Sequence, residues 1–172
     1  LLAFFVLGLI PLAWAASAPP QMGQTTSLFD GVTLAAWEGD AKTWRVENGC
    51  ITGGSLTETV KQNEFLASTR NFTNFIIRFQ IKLTGSEGFI NSGFQICFQR
   101  VPNSSEMAGH QCDFGEPTWY GAIYDESRRN KLMSPSDMEA LRPAIKLNDW
   151  NDYIIRADGP RDRHDDRHGQ QE

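Results

Sequence analysis

The sequence has no excess of positive charge, few cysteines, no apolar run long enough to cross a bilayer and no long amphipathic helix. Each shortage removes a class of function. Its 16 Lys and Arg stand against 21 Asp and Glu, a formal net charge of −5; a chain of that sign does not neutralise phosphates, which excludes nucleic acid as a partner. The 3 cysteines, Cys50, Cys97 and Cys112, cannot all pair and none lies in a CxxC arrangement, so neither a disulfide framework nor a zinc site is signalled. Cys97 and Cys112 are near enough in sequence for adjacent strands, where an oxidising compartment would permit a bridge. The alternative is three small buried or half-buried thiols.

The longest apolar run, Leu1 to Leu12, is too short to span a membrane. Ala13-Trp14-Ala15 and Ala16-Ser17-Ala18 follow it, which gives residues 1–18 the shape of a signal peptide that starts partway, without the initiator Met and basic segment. Pro11 and the switch to Ser, Pro, Gln, Gly and Thr over 17–26 speak against a buried helix. The protein is therefore expected to be exported, periplasmic or extracellular, with no stable membrane span after cleavage. Without a Cys behind the run, a lipid anchor is disfavoured.

What remains has an ordinary composition: 40% hydrophobic and 22% charged residues in a chain of 172 suit one folded domain. From Ser27 onward the hydrophobic period is 2. The clearest strand is Phe75 to Leu83, in which Phe75, Ile77, Phe79, Ile81 and Leu83 alternate with Ile76, Arg78, Gln80 and Lys82. Phe94 to Phe98 is a second, with Phe94, Ile96 and Phe98 expected inward and Gln95, Cys97 and Gln99 on the other face. Thr43 to Glu47, Glu64 to Ser68, Gln111 to Phe114 and Asp152 to Ala157 are shorter candidates. Turn signals such as Glu47-Asn48-Gly49 and Asp158-Gly159-Pro160 separate them. Only Ser136 to Leu141, with Ser136 as N-cap, suggests a helical turn. Short strands with polar turns predict an all-β antiparallel sandwich or barrel.

Residues 161–172 contain no apolar residue. His164 and His168 beside Asp165 and Asp166 invite a metal reading, but without apolar neighbours to hold a geometry the segment is expected to be a solvated tail. No metal site and no cofactor are predicted, and a bound divalent cation is left open.

Chemistry concentrates between Asn91 and Lys131, where amides, carboxylates and guanidinium groups are interleaved with aromatics. Amides and guanidinium forks match sugar hydroxyls, and aromatic faces match the C–H side of a pyranose. Paired carboxylates can divide acid and base roles. The run Asp125 to Lys131 alone also fits a charged surface loop.

A resemblance shifts that balance. Leu28-Phe29-Asp30-Gly31, Trp44 to Gly49, Asn63-Glu64-Phe65-Leu66, Asn91-Ser92-Gly93-Phe94-Gln95, Glu106-Met107, Gly109 to Asp113, and above all Trp119 to Lys131 together resemble the 3-keto-disaccharide hydrolase domain family. Asp149-Trp150-Asn151-Asp152-Tyr153 extends the likeness, and the domain is placed at residues 24–160. The resemblance implies a concanavalin A-like jelly roll, two antiparallel sheets with a ligand groove on the concave face, and a carbohydrate partner, a 3-keto-sugar substrate. This chain departs in having Cys97-Phe98 where the family tends to carry Arg-Ser, His110 where it tends to carry Tyr, and a hydrophilic 161–172 where it continues in strands, as a truncated chain would.

The implied function is hydrolysis of glycosidic bonds in 3-keto-glycosides or 3-keto-disaccharides. A ketone at C3 acidifies the hydrogen on C2, and loss of that proton expels the group on C1; water addition then completes hydrolysis. Such a site needs a base, donors for the enolate oxygen and an acid for the leaving oxygen. Direct displacement with two carboxylates would yield the same products. Glu64 and Asp113 are the candidate bases and Glu126 the candidate acid, with His110 the base to test if all three carboxylates fail. Arg128 or Arg129 would stabilise the enolate or pair with Asp125 and Glu126. Asn91, Gln95, His110, Gln111, Trp119 and Tyr124 are the remaining substrate-binding candidates. The competing classes are a non-catalytic carbohydrate-binding module, which needs the amides and aromatics but not the carboxylates, and a plain structural module, which needs neither.

Overall fold

The computed structural model describes residues 25–85, 90–115 and 118–159; the 1–18 and 161–172 assignments lie outside them. Among the described residues the chain forms, in order, β1 (Trp37–Glu38), β2 (Trp44–Glu47), β3 (Cys50–Gly53), β4 (Ala67–Ser68), β5 (Phe75–Ile81), β6 (Asn91–Arg100), β7 (Met107–Gly115), β8 (Ile123–Glu126), β9 (Lys131–Ser134), one short helix α1 (Met138–Leu141) and β10 (Asn151–Ala157). Every pairing is antiparallel. No helix among them is long and apolar enough to cross a membrane.

Strand β5 behaves as its alternation requires. Phe75, Ile77, Phe79 and Ile81 are half-buried while Ile76, Arg78 and Gln80 are exposed. It pairs with β10, Phe79 opposite Tyr153. The larger sheet runs β6-β7-β8-β9. Phe79 stacks on Phe94 at 5.2 Å between ring centroids, and Tyr153 meets Phe114 edge-on at 5.4 Å. Those contacts bring the two sheets face to face, an antiparallel β-sandwich of jelly-roll type whose core is this aromatic cluster.

Two smaller ladders, β1 with β4 and β2 with β3, complete the strands. The β2–β3 turn places Asn48 at φ 50° and Gly49 at φ 75°, the two left-handed residues that a tight hairpin of this twist demands. Trp44 lies across Gly53, where a Cβ would come within 2.5 Å of the indole ring. Only a glycine leaves that ring its place.

Several expectations need correction. Phe98 does not face inward: it is 39% exposed. The β6–β7 register shifts between Ile96 and Gln99, with Cys97 in the left-handed region at φ 52°. A bulge inserts a residue on one strand and reverses every side chain beyond it. All three cysteines are free, Cys97 exposed and Cys112 buried; Phe94, not Cys97, stands opposite Cys112. The helix N-cap is Asp137, whose carboxylate accepts from the Ala140 N–H at 3.1 Å. Ser136 instead donates its hydroxyl to the Thr118 carbonyl at 3.2 Å. The Glu64 to Ser68 strand contracts to Ala67–Ser68, and β1, β3, β8 and β9 form where no strand was expected.

Candidate active site

Alternation along β7 puts Gly109, Gln111 and Asp113 on one face and His110, Cys112 and Phe114 on the other. Phe114 packs toward the second sheet, so the Gln111 face is turned away from it. Register extends that face sideways. Gln95 of β6 and Tyr124 of β8 flank Gln111, Gly93 stands opposite Asp113, and Glu126 stands opposite Gly109. Gln95, Gln111, Asp113, Tyr124 and Glu126 therefore share one surface; the two-residue spacing of Gln111 and Asp113 accounts for those two, and the strand register for the others.

The centre of this surface is a buried polar pair. Gln111 Nε2 donates to Asp113 Oδ1 at 2.8 Å, and the two residues are only 9% and 3% exposed. Gly93 makes the pair possible, because a Cβ there would lie 2.3 Å from Gln111 Cγ. On the same face Asn91 crosses Gly115, where a Cβ would lie 2.7 Å from Asn91 Nδ2. Gln95 Nε2 donates to the Met107 carbonyl at 3.1 Å, while Gln95 Oε1 is buried with no hydrogen-bond partner among the described residues. A buried amide oxygen in that state is an acceptor suited to an incoming hydroxyl.

The carboxylates act on one another. Burial pushes the Asp113 carboxyl up to about 6, with the Gln111 hydrogen bond pulling the other way. Burial and the Asp113 charge push the neighbouring Cys112 thiol up to about 11. Glu126 is raised first by burial, then by the negative charges of Glu106 and Asp113. Glu106, part of the resemblance but not among the candidate site residues, is the further member. It lies in the 101–106 connection, where no alternation marks a functional side chain. Its carboxylate receives the Ser127 hydroxyl and, at 3.4 Å, Asn63 Nδ2.

The other candidates divide. Trp119 meets Tyr124 edge-on at 6.1 Å between centroids, bringing an aromatic pair to the carboxylate face. Glu64 accepts from Gln62 Nε2 at 2.9 Å, on the segment whose Asn63 reaches Glu106. His110 stands opposite Asp125, on the face opposite Asp113. Its Nε2 lies 3.2 Å from an Arg128 guanidinium nitrogen. Arg128 and Arg129 each reach Asp125 at 2.8 Å, and Asp125 has no exposed side-chain surface. Of the two roles considered for these arginines, the geometry supplies ion pairing with Asp125, which closes the β8–β9 turn. Among the described residues no group of three or more His, Cys, Asp or Glu side chains is arranged to hold a metal ion.

The Gly93 contact yields a direct test. In a G93A variant the new methyl group is expected to push Gln111 off Asp113, removing the hydrogen bond that holds the carboxyl down. The Asp113 titration, followed by NMR, should then move to higher pH than in the parent. An unshifted titration would show that Gln111 yields without releasing its partner.

A face with two buried-raised carboxyls, three amides and an aromatic pair can hold a hydroxylated ring and move protons at neutral pH. Comparison with curated proteins gives no match. The family model of the 3-keto-alpha-glucoside-1,2-lyase-like domain matches residues 24–165.

Proposed function

Because the chain belongs to the 3-keto-alpha-glucoside-1,2-lyase-like domain family, we propose that it cleaves the glycosidic bond of 3-keto-glycosides, 3-keto-disaccharides among them, with Asp113 as the base. The observation that carries this reading is the Asp113 carboxyl, 3% exposed and raised to about 6, on one face with Glu126. A general base is most effective when its pKa lies near the working pH. Ionised at neutral pH, Asp113 takes the C2 proton acidified by the C3 ketone. The electron pair left on C2 delocalises into the carbonyl, then forms the C1–C2 double bond as the C1–O bond breaks. Glu126, whose carboxyl is raised first by burial and then by the charges of Glu106 and Asp113, is the group on this face that passes a proton to the leaving oxygen. Water added across C1 and C2 completes a net hydrolysis. The name of the family, a 1,2-lyase, describes the elimination half of this sequence. Gln95, Asn91 and the Trp119–Tyr124 pair orient the ring.

The test is incubation with 3-keto-sucrose or 3-keto-trehalose. Free sugar is expected to be released, with kcat/KM rising as pH increases through about 6, where Asp113 loses its proton. In deuterated water the recovered 3-keto-sugar should carry deuterium at C2, which direct displacement would not introduce. No release, or a rate indifferent to pH between about 5 and 7, would remove the proposal.

A further inference from the structure

Strand β10 has a long edge that the sandwich does not use. Among the described residues it pairs with β5 alone, and β5 with β10 alone. That pairing runs without a bulge over all seven residues, from Asn151 opposite Ile81 to Ala157 opposite Phe75. The backbone N–H and C=O groups on the other side of β10 are therefore set out at regular spacing for a further strand. Edge strands are commonly blunted by a proline, a bulge or shortness, and β10 carries none of these. Its outward face is Asp152, Ile154 and Arg156, with Ile154 65% exposed at the centre.

The order of those three residues selects the partner. A two-fold axis at Ile154 lays β10 antiparallel against β10 of a second copy in full overlap. Ile154 then faces Ile154 of the second copy, and Asp152 and Arg156 each face the other's counterpart, all on one side of the sheet. Apolar pairs and opposite charges directly across two strands are stabilising, and like charges are not. Both charged groups have capacity to spare. Asp152 accepts from Gln80 Nε2 through Oδ1, which leaves Oδ2, and Arg156 reaches Asp158 through Nε while its side chain is 67% exposed. Strand β5 is the contrasting case, because full overlap about its middle residue would set Arg78 against itself.

We infer that the β10 edge is the docking surface for a second copy of this chain, giving a two-fold dimer in which one sheet runs β5-β10-β10-β5. The Gln111–Asp113 face is turned away from the β5–β10 sheet, so the candidate active site of each copy stays open. The inference stands apart from the cleavage reading.

The test is sedimentation of the full chain over a wide range of concentration. The parent is expected to pass from monomer to dimer and no further. D152R sets Arg against Arg across the axis and R156D sets Asp against Asp, so each alone should weaken the dimer about tenfold or more. An equimolar mixture of the two variants restores both opposite-charge pairs and should dimerise about as tightly as the parent. A parent that stays monomeric means the edge is covered from within its own chain and overturns the inference, as do species larger than a dimer, charge variants that associate like the parent, or a mixture that does not associate. Should either charge variant fail to fold, cross-linking decides. Residues directly opposite have Cβ atoms about 5 Å apart, within reach of a disulfide. In a C97S background I154C is expected to form a covalent dimer under a mild oxidant, and I76C, also exposed but on β5, is not. Equal cross-linking at the two positions, or none at either, overturns the inference.

Discussion

Replacing Asp113 by asparagine is expected to lower turnover of a 3-keto-glycoside by about 10²–10⁴-fold without weakening the fold at neutral pH. The amide keeps the shape of the carboxyl, yet it cannot accept the C2 proton. The stability half of the result follows from linkage. Folding raises the Asp113 pKa from 3.8 to about 6, so the folded chain holds the proton more tightly than the unfolded chain. The stabilisation this gives is complete below 3.8 and is lost as pH rises to about 6. Above that window the native protein carries a buried charge that D113N lacks. Thermal unfolding of D113N near pH 7 should occur no lower than in the parent. A variant that turns over normally would move the base elsewhere, and one that melts early would make Asp113 a structural residue.

The second large effect is one of stability. Removing both cations in R128A/R129A is expected to cost about 3–5 kcal/mol, read as a fall in the urea midpoint at unchanged slope. Asp125 has no exposed side-chain surface, and both guanidinium groups reach it at 2.8 Å. Without them its charge is buried and uncompensated. Adding D125N to the double variant should recover part of the loss, because the amide carries no charge to compensate. A midpoint equal to the parent's would mean that the β8–β9 turn opens and hydrates Asp125 at little cost.

Where a side chain's environment follows from its nearest neighbours in sequence, the fold could be read ahead of time. Phe75 to Ile81 announced both its strand and its inward face, because apolar residues at every second position over seven residues have no helical counterpart, Ile76 being the one apolar residue on the outward face. The shared face of Gln111 and Asp113 followed from the same geometry. Phe98 did not, since its orientation depends on a left-handed Cys97, and no local composition distinguishes a bulged cysteine from a regular one. Strands β8 and β9 are short and carry Tyr124, Asp125 and Lys131 in place of an apolar alternation. Glu106 joined the carboxylates only through contacts with Ser127 and Asn63, far from it in the chain. The separation of His110 and the two arginines from Asp113 needed the register of three strands at once. The likeness to a family carried the site further than periodicity did, because it placed carboxylates and amides in one pattern before any pairing was known.

The two sheets also differ in how far along the chain their partners lie. β5 finds β10 across about seventy residues, while β6 and β7 are joined by the 101–106 connection and β8 and β9 follow soon after. Loop-closure entropy grows with the logarithm of loop length, so the distant pairing costs roughly 2 kcal/mol more to bring together than the hairpin. Assembly then has an order: the sheet that displays Gln111 and Asp113 forms from near neighbours, and Tyr153 docks last over Phe79 and Phe114. Until it does, the aromatic underside of that sheet is open to any other chain nearby. The time between synthesis of β9 and docking of β10 is the interval in which this protein is most exposed to misassembly.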